Sequence, residues 1–298
     1  MQSGRAVSVA RVRRPVGLGQ TVLLVGVVLL AGSCSFADVI FDQSFAGTGI
    51  PSGWELLSSA TLPGGYLQLT PDAGGLWGSA FYTQTAFSSA HFVFTAEVNI
   101  GGTDSSPADG MTFSWVDSTK VLPDHSNLAG PGGGSLGMPD INDGFAFTLR
   151  GRPGTIQQTG LYRTNRAIAF SDAVYVFNHP GDNFYQNDGW QPVQLTCDNG
   201  AFAFDWGAPV SGGGYAHEFK FTIPVNPADP YNGFQAYDQA WFGVTGATGS
   251  DREYNQIKNV RLTAEPFAPT AVPEPSLAAL FLIAGLPAFL AYRKRKRS

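Results

Sequence analysis

The side chains able to do chemistry are few and scattered. Six Glu stand at 55, 97, 218, 253, 265 and 274, and none lies in the Glu-x-Asp-x-x-Glu spacing that sets two carboxylates across a glycosidic bond. The four His, at 91, 125, 179 and 217, form no His-Glu-x-x-His and have no Cys pair beside them, which argues against a zinc site. Gly132, Gly134 and Gly137 satisfy G-x-G-x-x-G, but no strand-then-helix pattern surrounds them, so a dinucleotide loop is not expected. No Gly-x-Ser-x-Gly elbow is present. Cys197 alternates with Val193 and Leu195 and reads as a buried core residue, not a nucleophile. Asp182, Asn187 and Asp188 read as a calcium loop or, more simply, a polar loop. Asp109, in Ala108-Asp109-Gly110, reads as a ligand-binding acid or a solvated loop acid.

The elements that would carry these residues are strands. Phe92, Phe94, Ala96, Val98 and Ile100 recur with period two. So do Met111, Phe113 and Trp115; Phe145, Phe147 and Leu149; Val193, Leu195 and Cys197; Phe202, Phe204 and Trp206; and Phe219, Phe221 and Ile223. Apolar residues alternating with polar ones predict antiparallel strands with one face on a core and the other in solvent. Asn199-Gly200 between two such runs predicts a tight hairpin. No helical period occurs between the termini. With 37 Gly and 20 Pro in 298 residues, the chain predicts an all-β fold, a two-sheet antiparallel β-sandwich or jelly roll. Residues 38–266 hold 22 acidic against 9 basic side chains, a net charge of −13 that repels phosphate backbones and argues against nucleic-acid partners.

Both ends read as addresses. Four Arg precede an apolar run from Val16 to Ala31, and Ser35-Phe36-Ala37 places small residues before Asp38. This is a signal-peptide layout over residues 1–37, with a cut between Ala37 and Asp38. A cut before Cys34, giving a lipoprotein, fits the spacing less well. At the other end, Val272-Pro273-Glu274-Pro275-Ser276 leads into an apolar stretch at 277–292 and then five consecutive Lys/Arg. Sixteen helical residues reach about 24 Å, and flanking Lys/Arg can snorkel to span a bilayer. The basic end is expected to stay cytoplasmic. Residues 272–298 resemble the PEP-CTERM sorting signal of Gram-negative bacteria, with Pro273, Glu274 and Pro275 as its motif. The resemblance implies processing by an exosortase and delivery to the surface or matrix. Residues 265–271 read as a linker.

Within residues 38–264, three segments in order resemble the L-type (legume-lectin-like, concanavalin A-like) domain. They are Ala108 to Trp115, Leu128 to Gly137, and Trp241 to Gly249 followed by Asn255 to Val260. The resemblance implies that Asp109 accepts hydrogen bonds from sugar hydroxyls. It implies that Gly133 or Gly134 donates a backbone N–H, and that an aromatic ring stacks on the sugar. It also implies calcium and a transition metal held by acids on the strand after the glycine loop. That strand carries Ala146 and Thr148 at two ligand positions, which puts the usual metals in doubt. Asp140, Asn142 and Asp143 are the nearby oxygen donors for a calcium ion, or simply a turn. The expected function is a non-catalytic, exported protein that binds extracellular polysaccharide. The alternatives are a matrix scaffold whose sugar site has decayed and, more remotely, a glycoside hydrolase.

Overall fold

The computed structural model describes residues 37–102, 109–150, 157–164, 173–179, 189–210, 214–225 and 233–267. The two apolar terminal stretches, Pro273 to Pro275, and the loop with Asp182, Asn187 and Asp188 lie outside these residues. No helix among the described residues is long and apolar enough to cross a membrane.

The period-two runs fold as strands, in chain order β1 (Asp38–Gln43), β2 (Trp54–Ser58), β3 (Leu67–Ala73), β4 (Trp77–Gly101), β5 (Gly110–Asp117), β6 (Gly144–Arg150), β7 (Gln157–Arg163), β8 (Ala173–His179), β9 (Gln191–Asp198), β10 (Ala201–Pro209), β11 (Tyr215–Thr222), β12 (Ala240–Ala247) and β13 (Glu253–Pro266). All pairings between them are antiparallel. β4 is 25 residues long and belongs to both halves of the fold. Its first part pairs with β2 and β12, and the ladder continues through β5, β6, β7 and β8. Its second part pairs with β9 and β13, and that ladder runs on through β10 and β11.

The halves face each other across an aromatic core. Phe204 of β10 packs on Phe147 of β6 at 4.7 Å and on Phe113 of β5 at 6.5 Å between ring centroids. Phe94 of β4 meets Phe113 at 4.9 Å and Phe242 of β12 at 4.6 Å. Every residue of the alternating runs named above is buried. Cys197 is among them, and burial pushes its thiol up to about 12. Asn199 and Gly200 both take positive φ, 46° and 90°, as the expected hairpin requires. A Cβ on Gly200 would meet the Ile223 carbonyl oxygen at 2.5 Å, so glycine is needed there.

One expectation is corrected. β5 and β6 are not half-solvated: both are buried along both faces, apart from the half-buried Asp117 at the end of β5. The polar members of their alternation, Thr112, Ser114 and Thr148, are fully buried. The reason is the connection between β5 and β6, residues 118–143, which folds back over the outer face of the half built on β12, β5, β6 and β7, the front half. Its Leu128 and Ile141 pack with Phe81 and Val116. Its Leu136 and Met138 pack with Ala146 and Tyr162. At the C-terminal edge, Glu265 and Pro266, expected in the linker, extend β13 instead and pair with Ser88 and Phe87.

Candidate functional site

Asp109 stands at the mouth of β5. The following Gly110 has φ +112°, and a Cβ there would lie 2.0 Å from the Leu149 carbonyl oxygen. Only glycine lets the backbone turn at this point, and the turn carries the Asp109 carboxylate toward Gly249. A Cβ on Gly249 would sit 2.8 Å from Asp109 Oδ2. Gly110 and Trp77 pair with Ala247 from its two sides. Two strand spacings, about 10 Å, therefore separate them. Trp77 is 38% exposed, and its ring lies against Gly132, where a Cβ would come within 2.8 Å of Cε3.

The glycine loop reaches this same end. Asp117 closes β5 by accepting from Thr119 N at 2.9 Å and Thr119 Oγ1 at 2.7 Å, which starts the fold-back. Gly130 N donates to Gly137 O at 3.2 Å and Leu136 N to Gly133 O at 2.8 Å, and these bonds curl the loop tightly. Gly133 takes φ +62° with open space beside its Cα, so a ligand can approach the backbone closely. Gly134 is exposed, and its carbonyl accepts from Arg150 Nη2 at 3.1 Å. Asp109, Gly133 and Gly134 thus lie at the same end of the sheet, Asp109 beside Gly249 and the glycine loop against Trp77. The structure adds three residues that the sequence reading did not single out. Trp77 offers an exposed ring beside the glycine loop, Gly249 makes room for the Asp109 carboxylate, and Arg150 donates to the loop's Gly134 carbonyl. An isolated Trp beside a Gly-Gly turn was the only signal for the first of these.

The metal candidates lie elsewhere. Asp143 O accepts from Asp117 N at 2.8 Å, so Asp140, Asn142 and Asp143 cluster at the far end of β5. Seven strand steps separate that end from Gly110, about 23 Å. They are thus set apart from Asp109, because the connection crosses the sheet and returns before β6 begins. Ala146 and Thr148 stand on β6 opposite Ser114 and Thr112, on the face covered by the glycine loop. Ala146 packs with Leu136, Met138 and Tyr162, and Thr148 Oγ1 donates to Gly160 O at 3.3 Å. Calcium needs six to eight oxygens around it, and this apolar surrounding does not fit it. No group of three or more His, Cys, Asp or Glu able to hold a metal occurs among the described residues.

The remaining titratable groups are dispersed. His91 pairs with Asp198 at 2.8 Å, His125 contacts Glu55, and His217 stacks on Trp206 at 5.0 Å. Asp205 and Glu218 stand opposite each other on β10 and β11 and line a groove of about 490 Å³ with Gln194, Gly214 and Tyr215. Burial and then the Glu218 charge push Asp205 above the ordinary carboxylate value, while Lys220, ion-paired with Glu218, pulls it back. Ala37 and Asp38 are both exposed where β1 begins.

No protein-family model matches the chain, and no curated protein matches its sequence. Solved structures do share its architecture. Basic winged bean lectin, solved with Tn-antigen, superposes with a TM-score of 0.57 at 16% identity, covering 78% of this chain and 100% of the lectin. The lectin from Bauhinia forficata, solved with GalNAc, gives 0.55 at 18% identity over the same shares, 78% and 100%. The exoplasmic/lumenal domain of VIP36, solved with Ca2+ and Man3GlcNAc, gives 0.52 at 16% identity over 70% of this chain and 84% of that one. At such identities the likeness shows the fold: an all-β, curled antiparallel jelly roll of the lectin type.

Proposed function

We propose that this chain is a non-catalytic, lectin-like protein that binds extracellular polysaccharide through the rim formed by Asp109, Trp77 and the Gly132–Gly134 loop. The observation that carries the reading is the convergence of a carboxylate, an exposed indole and bare glycine backbone at one end of a lectin-type sandwich. A carboxylate accepts from two neighbouring hydroxyls, the indole face suits the C–H face of a pyranose, and glycine lets the ring approach. The solved relatives in fold were crystallised with sugars, which supports the same use here. A glycan array of the wild type and Asp109→Ala, with and without calcium, tests it. Saturable binding that the substitution weakens supports the reading, and its absence for every glycan refutes it.

The reading includes export. Signal peptidase would cut between Ala37 and Asp38, leaving β1 at the mature N-terminus. The segment at 277–292 would anchor the chain transiently with its basic end inside. An exosortase would then act near Pro273-Glu274-Pro275 to release it to the surface or matrix. The exposure of Ala37 and Asp38 is compatible with such a cut. The intact mass of the extracellular form measures both ends. A matrix scaffold without a ligand is the second reading, favoured by Ala146 and Thr148 standing where metal-binding acids would be. A silent glycan array together with lost biofilm cohesion on gene deletion would select it.

A further inference from the structure

The strand that faces the glycine loop carries no acids, and the structure shows what stands beneath the loop. Ser79, Thr245, Thr112 and Thr148 form one row across β4, β12, β5 and β6, each paired with the next. All four are fully buried. Thr245 Oγ1 donates to Leu136 O at 2.6 Å, and Ser79 Oγ donates to Gly137 O at 3.3 Å. Thr112 Oγ1 lies 2.8 Å from both Thr245 Oγ1 and Ser114 Oγ, extending the chain of hydroxyls along the sheet. The next row places Ser114, Ala146 and Tyr162 side by side, and Leu136 and Met138 of the loop close over Ala146 and Tyr162. Arg150 is 7% exposed, donates to Gly134 O at 3.1 Å and lies 6.0 Å from the Tyr162 ring centroid.

We infer that these groups lock the glycine loop onto the sheet without any bound cation. Hydroxyls hold the carbonyls of Leu136 and Gly137, a guanidinium holds that of Gly134, and an apolar plug fills the space between. Carbonyl oxygens are satisfied equally by O–H donors, a charged N–H donor or a cation, and here the first two are built in. The plug lacks the oxygens that a divalent ion requires. Resting on the saccharide reading above, the inference adds that the rim binds its sugar independently of calcium. Arg150 is then a positioning residue: it acts on the ligand through the loop backbone.

The test uses the purified full chain. Its melting temperature, calorimetric response to calcium chloride and loop amide exchange are measured in EDTA and in millimolar calcium. The lock predicts equal melting, no calcium heat, and protected amides at Leu136, Gly137 and Met138 in both buffers. Arg150→Gln and, separately, Thr245→Val each speed that exchange about tenfold, and Arg150→Lys restores part of the protection. Should Arg150→Gln fail to fold, Thr245→Val carries the test alone. The lock is overturned if calcium raises the melting temperature by more than about 2 °C. It is equally overturned if loop exchange is slow only with calcium, or if neither substitution changes it. If the wild type binds no glycan, the saccharide reading fails while the lock is still judged by melting and exchange. If glycan binding occurs and vanishes in EDTA, the lock fails and the saccharide reading stands.

Discussion

The Asp109 carboxylate occupies the space that a side chain at Gly249 would need, with Oδ2 only 2.8 Å from the missing Cβ. The loop after β12 thus sets where the acid before β5 can point. Gly249→Ala should displace the carboxylate, which must shift to relieve so short an approach. The expected result is sugar affinity weakened about tenfold, the loss of one charge-assisted hydrogen bond. Calorimetric titration beside a thermal melt checks it, because the melt should move little when the clash is with a half-buried side chain at the rim.

Trp77→Ala should weaken binding by roughly three- to tenfold, the worth of one ring stacked on an apolar face. Trp77→Phe should recover part of it. The ring is 38% exposed, so neither substitution should unfold the protein. The chain has six Trp, so the part of the fluorescence change on glycan titration that Trp77→Phe removes reports on this ring.

Phe204 joins the two halves through Phe113 and Phe147, and it is fully buried. Phe204→Ala should cost about 3–5 kcal/mol of stability. Denaturant unfolding measures that loss, and sugar affinity of the folded fraction should be unchanged because the residue touches no part of the rim.

Asp205 has its carboxyl raised above the ordinary value of 3.8, first by burial and then by Glu218. The folded state therefore holds this proton more tightly than the unfolded chain. Its contribution makes stability fall as pH rises from that value through the raised one, and stability stays lower above it. Asp205→Asn removes the penalty. At neutral pH it should stabilise by at most about 1 kcal/mol, since solvent and Lys220 screen the pair. Below about pH 3, where the Asp205 carboxyl is protonated in both the folded and the unfolded chain, it should do nothing. Melting curves of both proteins across this range decide it.

The sandwich was legible because its core strands alternate so regularly: Phe92 to Ile100 and Phe202 to Trp206 could satisfy only a period of two. The Asn199-Gly200 turn was legible for a local reason, since two consecutive positive φ values favour that pair. The covering of the front half was not. Thr112, Ser114 and Thr148 are polar, and polarity in an alternating strand reads as solvent exposure. Their burial becomes possible because partners arrive from other strands and from the loop: Thr112 Oγ1 bonds Ser114 Oγ and Thr245 Oγ1, which itself donates to Leu136 O, and Thr148 Oγ1 donates to Gly160 O. The same dependence on distant partners hid the placement of Asp140, Asn142 and Asp143. They follow the glycine loop closely in sequence, yet the connection carries them back to the other end of β5. Asp109 and the glycine loop were singled out through their resemblance to L-type motifs. Trp77 and Arg150 belong to no local pattern, and Gly249 entered only as the end of an L-type segment; what the three contact is set where β4, β6 and the loop after β12 meet.

The central claim is that a saccharide is held at the rim. The direct measurement is amide and indole chemical-shift mapping of the full chain during titration with a glycan that it binds. The account predicts saturable shifts at Asp109, Gly133, Gly134 and Gly249 and at the Trp77 indole, all abolished in Asp109→Ala. Shifts confined to the groove of Asp205 and Glu218, or to the far end around Asp140, would contradict it.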